Sequence, residues 1–396
     1  MKTMPYVEVR SRAQLGLTLV ELMVALALGT AVLAALASVY VAAKQAYRYQ
    51  ESAGRMTEDG TYALDTMARY VRMAGFAGCM GVTKTTVSGP PVVTTYYPTS
   101  GLSSAAPSGI SGPNPLLSAL PTNADAAQQP LTPTTFIQGF DATPSSLFAS
   151  GSAPSVPSGS VANALFISGG SMNVMNPAAA MTAATDAVSL GAADPYGWSA
   201  KGVTDFIISD CSQSSLFRGQ VALGGGTYSL SHATADGNAA ATFPGSPLYR
   251  ADAMVMPLEW RLYYLGTRPG ATLPSLYVVA YDGNARSSAL ELVANVEAMK
   301  IHYGENTQND ASGVATMQAD VWRTSASAVT DWSRVVAVRI GIIMASADTN
   351  ATSGEFTATV PTLLGATYTP PTGAPANAIR KEFSTTITLR NRIPAR

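Results

Sequence analysis

Charge is scarce in this chain of 396 residues: Asp, Glu, Lys and Arg make up 12% of it, about half the usual share. The 24 basic and 25 acidic side chains nearly cancel. That balance excludes the strongly basic surface on which binding to a phosphate backbone depends, so no nucleic-acid partner is expected. Cysteine and histidine are rarer still, two of each: Cys79 and Cys211, His232 and His302. Two thiols allow at most one internal disulfide. They are too few for a disulfide scaffold or a four-thiolate metal site. The two histidines lie far apart in sequence with no ligand cluster near either, which points to structural roles and to no metal centre. No GxSxG, HExxH or P-loop string occurs. The Gly224-Gly225-Gly226 run lacks a following GK[ST] and reads as a turn, and the 233–238 stretch offers one acid, Asp236, too few for a calcium loop. Catalysis and a bound cofactor are therefore not expected.

What the chain does have is one long apolar run. From Leu17 to Ala43 the only charge is Glu21. As a helix this run would be about 40 Å long, enough to cross a hydrocarbon layer of about 30 Å. Lys2, Arg10 and Arg12 precede it against Glu8, a basic flank that predicts a cytoplasmic N-terminus and places everything after Ala43 on the far side, the periplasm in a Gram-negative cell. Glu21 is the anomaly. A carboxylate inside a membrane helix costs roughly 2.5–3.5 kcal/mol on insertion scales, and a plain anchor has no use for it. A cationic partner is expected, unless the side chain simply snorkels to the headgroups.

Three readings compete for the segment. A cleaved secretory signal would use the small-x-small site Ala35-Leu36-Ala37, but its apolar run would be too long and would contain an acid. A simple anchor leaves Glu21 unexplained. The third reading is a resemblance: Gly16-Leu17-Thr18-Leu19-Val20-Glu21 resembles the class III signal of type IV pilins, a basic leader ending in Gly, then an apolar helix with Thr second and Glu fifth. Leu17 stands where most members have Phe. The resemblance implies cleavage after Gly16 by a prepilin peptidase, N-methylation of Leu17, and a role for Thr18 and Glu21 in filament assembly, the Glu21 carboxylate meeting the new amino terminus of a neighbouring subunit. The physics fits, because two opposite charges leaving water together cost far less than either alone.

Beyond Lys44 the helical pattern turns amphipathic. Leu64, Met67, Ala68 and Val71 fall at i, i+3, i+4 and i+7, a core-facing stripe. Asp65 and Arg69 have the i, i+4 spacing of a helix ion pair. Gly54 and Gly60 are weak points where the helix is expected to bend or fray, and Gly75 and Gly78 are stop signals. One helix over 17–74 is predicted. Residues 85–185 then carry only two charges, Asp125 and Asp141, in a background of Ser, Thr, Ala, Pro and Gly, which reads as a loop-rich surface insertion. Strands are predicted at 164–168, 203–209, 216–223, 258–265, 275–281, 289–294, 297–303, 335–344 and 383–389. Turn signals stand at 266–270 and 281–284. The expected fold class is α+β: a long N-terminal helix packed on an antiparallel β-rich C-terminal domain, with an inserted loop-rich lobe. The division is a leader (1–16), a transmembrane and assembly helix (17–80), the lobe (81–200) and a β-rich domain (201–396).

The rest of the chain carries a second resemblance. The helix exit at 71–79, the strand and cysteine at 206–211, the LVANVE string at 292–297 followed by 301–304, and the strings at 335–340 and 386–392 look, in that order, like PilW-type minor pilins. Coverage is 16–81 and 203–392, with the low-charge lobe least similar. The two cysteines lie in strings that carry this resemblance, and the expected compartment is oxidising. A Cys79–Cys211 disulfide would close a loop of about 130 residues and stabilise by about 5 kcal/mol in the chain-entropy account. The resemblance implies a minor pilin of a type IV pilus, inserted in the inner membrane with its C-terminal domain in the periplasm and later part of the pilus at the cell surface. Its partners would be other minor and major pilins and a tip adhesin, supporting twitching motility and adhesion. A minor pseudopilin of a type II secretion system shares the signal but is usually smaller. A membrane-tethered periplasmic binding module is the reading from a different class, and in it Glu21 would be dispensable. The basic residues near the C-terminus, Arg380, Lys381, Arg390, Arg392 and Arg396, read as guards of a strand edge.

Overall fold

The computed structural model describes residues 18–78, 80–81, 93–96, 136–143, 155–210, 213–236, 238, 241–243, 248–285, 287–309, 318–348 and 360–392. Its first element is a helix, Leu19–Met73, about 80 Å long at 1.5 Å per residue. The expected span of 17–74 is met to within two residues. Leu64, Met67, Ala68 and Val71 are all buried, as their spacing requires. The helix stops where glycine permits it: Gly75 has φ 73° and Gly78 φ 79°, left-handed values that cost glycine little.

Two expectations about this helix are corrected. It runs without a break through Gly54 and Gly60. Gly60 is buried because a Cβ there would lie 2.6 Å from Cδ2 of Phe383, so its role is close approach to a strand. The Asp65–Arg69 spacing produces no ion pair, both side chains being exposed; Glu51 and Arg55 form one a turn apart, at 2.7 Å.

The amphipathic half of the helix covers a four-stranded antiparallel sheet ordered Val321–Arg323, Val296–Glu305, Val335–Ala345, Arg380–Thr388. Tyr303, Val338 and Ile387 lie side by side in register, as do Met299, Ile342 and Phe383. With alternate side chains sharing a face, these rows form the layer beneath the helix, in one core cluster with Leu64, Met67 and Val71.

The second sheet has ten strands centred on Met254–Gly266. The first four residues of that strand pair with Val203–Ser209 and its last seven with Ser275–Tyr281. Leu258 to Tyr263 also pair with Ala164–Gly170. Its side chains enter three clusters: Val255 packs with Phe206 and Trp198, Trp260 with Phe166, and Tyr263 with the helix-covered core. The two sheets are tied by backbone bonds, Asn163 N–H to Met299 O at 3.0 Å and Met299 N–H to Val161 O at 2.8 Å.

The α+β architecture is as read from the sequence, and all nine predicted strands are present. Shorter strands went unpredicted, among them Ile137–Phe140, Val188–Gly191, Thr227–Leu230 and Val321–Arg323. Within the low-charge stretch, Ile137–Phe140 and Ala164–Gly170 are buried throughout. Asp141, one of that stretch's two charges, accepts the N–H groups of Ala326 and Ser327 at 2.7 and 3.0 Å and so binds it to the C-terminal region. Asp125 lies outside the described residues.

Candidate functional site: the helix and its anchorage

The N-terminus of the helix is closed by its own side chains. Thr18 is the N-cap. Its backbone N–H donates to Glu21 Oε2 at 3.0 Å, its hydroxyl donates to the same oxygen at 3.1 Å, and Glu21 N–H donates to Thr18 Oγ1 at 3.3 Å. This is a capping box, in which two orphan donors of the first turn are satisfied reciprocally. The structure thus brings together Thr18 and Glu21, two residues singled out from the sequence. Gly16 and Leu17 lie outside the described residues.

From Thr18 to Val41 every residue is exposed. This stretch carries Leu, Val, Met and Ala at nearly every position, so an apolar sheath surrounds the helix on all sides. A helix hydrophobic all round must be covered by lipid or by other helices. One helix, Leu19–Met73, is long and apolar enough among the described residues to cross a membrane.

The other end is held by specific contacts. Arg261 lies over the Tyr70 ring at 3.6 Å, a cation–π contact. Lys381 Nζ donates to Thr57 Oγ1 at 3.2 Å, and Asn391 Nδ2 donates to the Arg72 carbonyl at 3.1 Å. Higher on the shaft, Arg48 meets Asp348 at 3.5 Å. The last turn presses directly on a strand: a Cβ on Gly169 would sit 2.7 Å from the Met73 carbonyl oxygen, and Gly75 N–H bonds Ser168 O at 2.9 Å. The close approaches at Gly60 and Gly169 were not foreseen, because a glycine that makes room reads in sequence like a glycine that loosens the chain.

The remaining sequence candidates take structural places. Cys79 and Cys211 lie outside the described residues, but their flanks meet: a Cβ on Gly78 would lie 2.9 Å from Ser209 Cβ. His232 is buried against Phe243, ring centroids 4.2 Å apart, and its Nε2 is 2.7 Å from the Asp186 carbonyl. Asp236 accepts from the Ser231 hydroxyl and Ala233 N–H, closing its turn. Gly225 and Gly226 form the left-handed pair between two paired strands, a hairpin turn as expected. Arg380 corrects the edge-guard reading. It is buried, with Nε 2.6 Å from Glu297 Oε2 and Nη2 3.0 Å from Oε1. Among the described residues, no group of three or more His, Cys, Asp or Glu is placed to hold a metal.

Comparison with known proteins agrees with this geometry. Residues 262–391, from the centre of the shared strand through the four-stranded sheet, match the family of type IV pilus-assembly protein W. Residues 11–37 match the prokaryotic N-terminal methylation motif. No curated protein and no solved structure matches significantly. The chain thus carries, at the foot of an exposed apolar helix whose head bears the N-terminal methylation motif, a domain similar to that of type IV pilus-assembly protein W.

Proposed function

We propose that the chain is a minor pilin that enters the pilus through its helix and acts with other minor pilins in a priming complex at the tip, where a tip adhesin would be presented. Motility and adhesion would follow from that role. The observation that carries the reading is the Thr18–Glu21 capping box at the head of a helix whose apolar first half is exposed on all sides. In the membrane, Thr18 partly satisfies the carboxylate. Cleavage after Gly16 then creates an ammonium at Leu17, a stronger partner that a neighbouring subunit can bring to Glu21. Before assembly the helix would hold the protein in the inner membrane with the sheets in the periplasm.

Glu21→Ala tests this reading. Pilus number and recovery of other pilins should fall sharply while the amount of membrane-inserted protein holds. Unchanged piliation and partner recovery would favour a simple tether. We also assign Cys79 and Cys211 to one disulfide, supported by the meeting of Gly78 with Ser209 and by the oxidising compartment. Thiol titration of unfolded, non-reduced protein should find none, and two free thiols would exclude the bond.

A further inference from the structure

The four-stranded sheet has a second face, turned away from the helix. Registers place Lys300 opposite Gly341 and Ser384, and His302 opposite Arg339 and Thr386. In the next row Gly304 lies opposite Ala337, Thr388 and Trp322. These residues alternate with the helix-facing ones and so share the outer face. The Arg339 guanidinium lies over the Trp322 ring at 4.6 Å, and its Nε donates to Thr386 Oγ1 at 3.2 Å. That leaves the two terminal nitrogens of a guanidinium already fixed in direction.

His302 is over nine-tenths buried between these cations, and its Nε2 is buried without a hydrogen-bond partner. Buried polar atoms are nearly always satisfied, so an orphan one marks a place where a water, an ion or a ligand belongs. None of Lys300, His302 and Arg339 forms an ion pair with a described residue. The nearby acids are engaged elsewhere. Glu382, on the same face, accepts the Leu364 N–H at 2.7 Å. Asp320, on the loop beside Gly304, takes the N–H and hydroxyl of Thr307. Burial, and then Lys300 and Arg339, hold the His302 pKa below its ordinary value.

From this juxtaposition we infer an oxyanion-binding site on the outer face, built from Lys300, His302, Arg339 and the Thr386 hydroxyl, that takes a phosphate-type dianion, free or as a monoester. Two fixed positive charges and a third that an anion can induce suit a dianion better than a carboxylate. The second ionisation of a phosphate monoester falls near pH 6, beside that of histidine. By linkage, bound dianion must raise the His302 pKa. This site is independent of the helix and of its role in assembly.

The chain's two histidines make the test simple. Full-length protein in detergent, labelled at histidine 13Cε1, gives two signals, and His232, packed in another cluster, reports on the fold. Inorganic phosphate should shift the His302 signal saturably and raise its pKa, with His232 unmoved. Acetate or chloride at equal ionic strength should act far more weakly. Arg339→Gln and Lys300→Gln should each abolish saturation while the His232 signal holds. Glucose 6-phosphate separates the sources: a matching shift assigns the site to esterified phosphate, and a shift with inorganic phosphate alone assigns it to the free anion. An unmoved His302 signal, as a buried water alone would give, or an equal response to acetate, would overturn the assignment.

Discussion

Arg380 and Glu297 meet in a two-point pair, with side chains 2% and 0% exposed. Desolvating two charges is offset only when both are present. Arg380→Met should therefore destabilise the protein by about 3–5 kcal/mol, because Glu297 is left buried and unpaired, whereas replacing both by apolar residues should be close to neutral. Urea unfolding of the detergent-solubilised protein measures both, and equal losses in the single and double variants would refute the account. Asp205 and Arg218 form a second buried pair at 2.9 Å, with the Tyr281 hydroxyl donating to Asp205 at 2.6 Å. Neither pair was legible in the sequence. Glu297 and Arg380 are 83 positions apart, and nothing local distinguishes a buried arginine on a strand from one that guards an edge. Thr18 and Glu21 were singled out by their place in a pilin-like signal, and their mutual capping box went unread although the link is local, three positions apart at a helix start.

At the level of elements, the sheath and the docked half of the helix answer to different rules. A Cβ on Gly54 would meet nothing within 4 Å, whereas one on Gly60 would strike the Phe383 ring at 2.6 Å. Gly54→Ala should therefore stabilise the helix by up to about 1 kcal/mol through propensity alone. Gly60→Ala should destabilise the docked helix by about 1–3 kcal/mol through overpacking. Differential melting of the two variants against the parent checks this, and a shift of the same sign in both would contradict it. The predicted strands were legible because they are apolar runs bounded by turn residues. Those missed are short, and three of them, Ile137–Phe140, Val188–Gly191 and Thr227–Leu230, hold too few apolar side chains to stand out against a Ser- and Gly-rich background. Their pairing is set by the neighbours they complete.

Among the described residues, several carboxylates clamp loops. The Thr182 hydroxyl at Asp186 and the Thr307 hydroxyl at Asp320 hold those carboxyls below their ordinary values. At Glu305 burial pushes upward, but the Thr330 hydroxyl, Arg323 and Asp331 N–H outweigh it. A carboxyl with a depressed folded pKa contributes stability that is complete above its unfolded value, about 4, and is lost as pH falls through the lower folded value. Asp205, raised by burial against the pull of Arg218 and Tyr281, works the other way. With more clamps on the first side, the melting temperature should be level near neutrality and drop below about pH 4. A level profile down to about pH 3 would refute the clamps. Part of the sparse charge is thus spent on holding loops in place, and composition alone could not show that.

The Met254–Gly266 strand has a consequence for dissecting the protein. The family match begins at residue 262, in the middle of this strand. A fragment cut there would keep the helix-side half of the strand and lose Val255, Met256, Leu258 and Trp260, which build the other two clusters. The border drawn by shared ancestry therefore runs through a beam that the whole head rests on, and the smallest portion able to fold alone must reach past it on both sides.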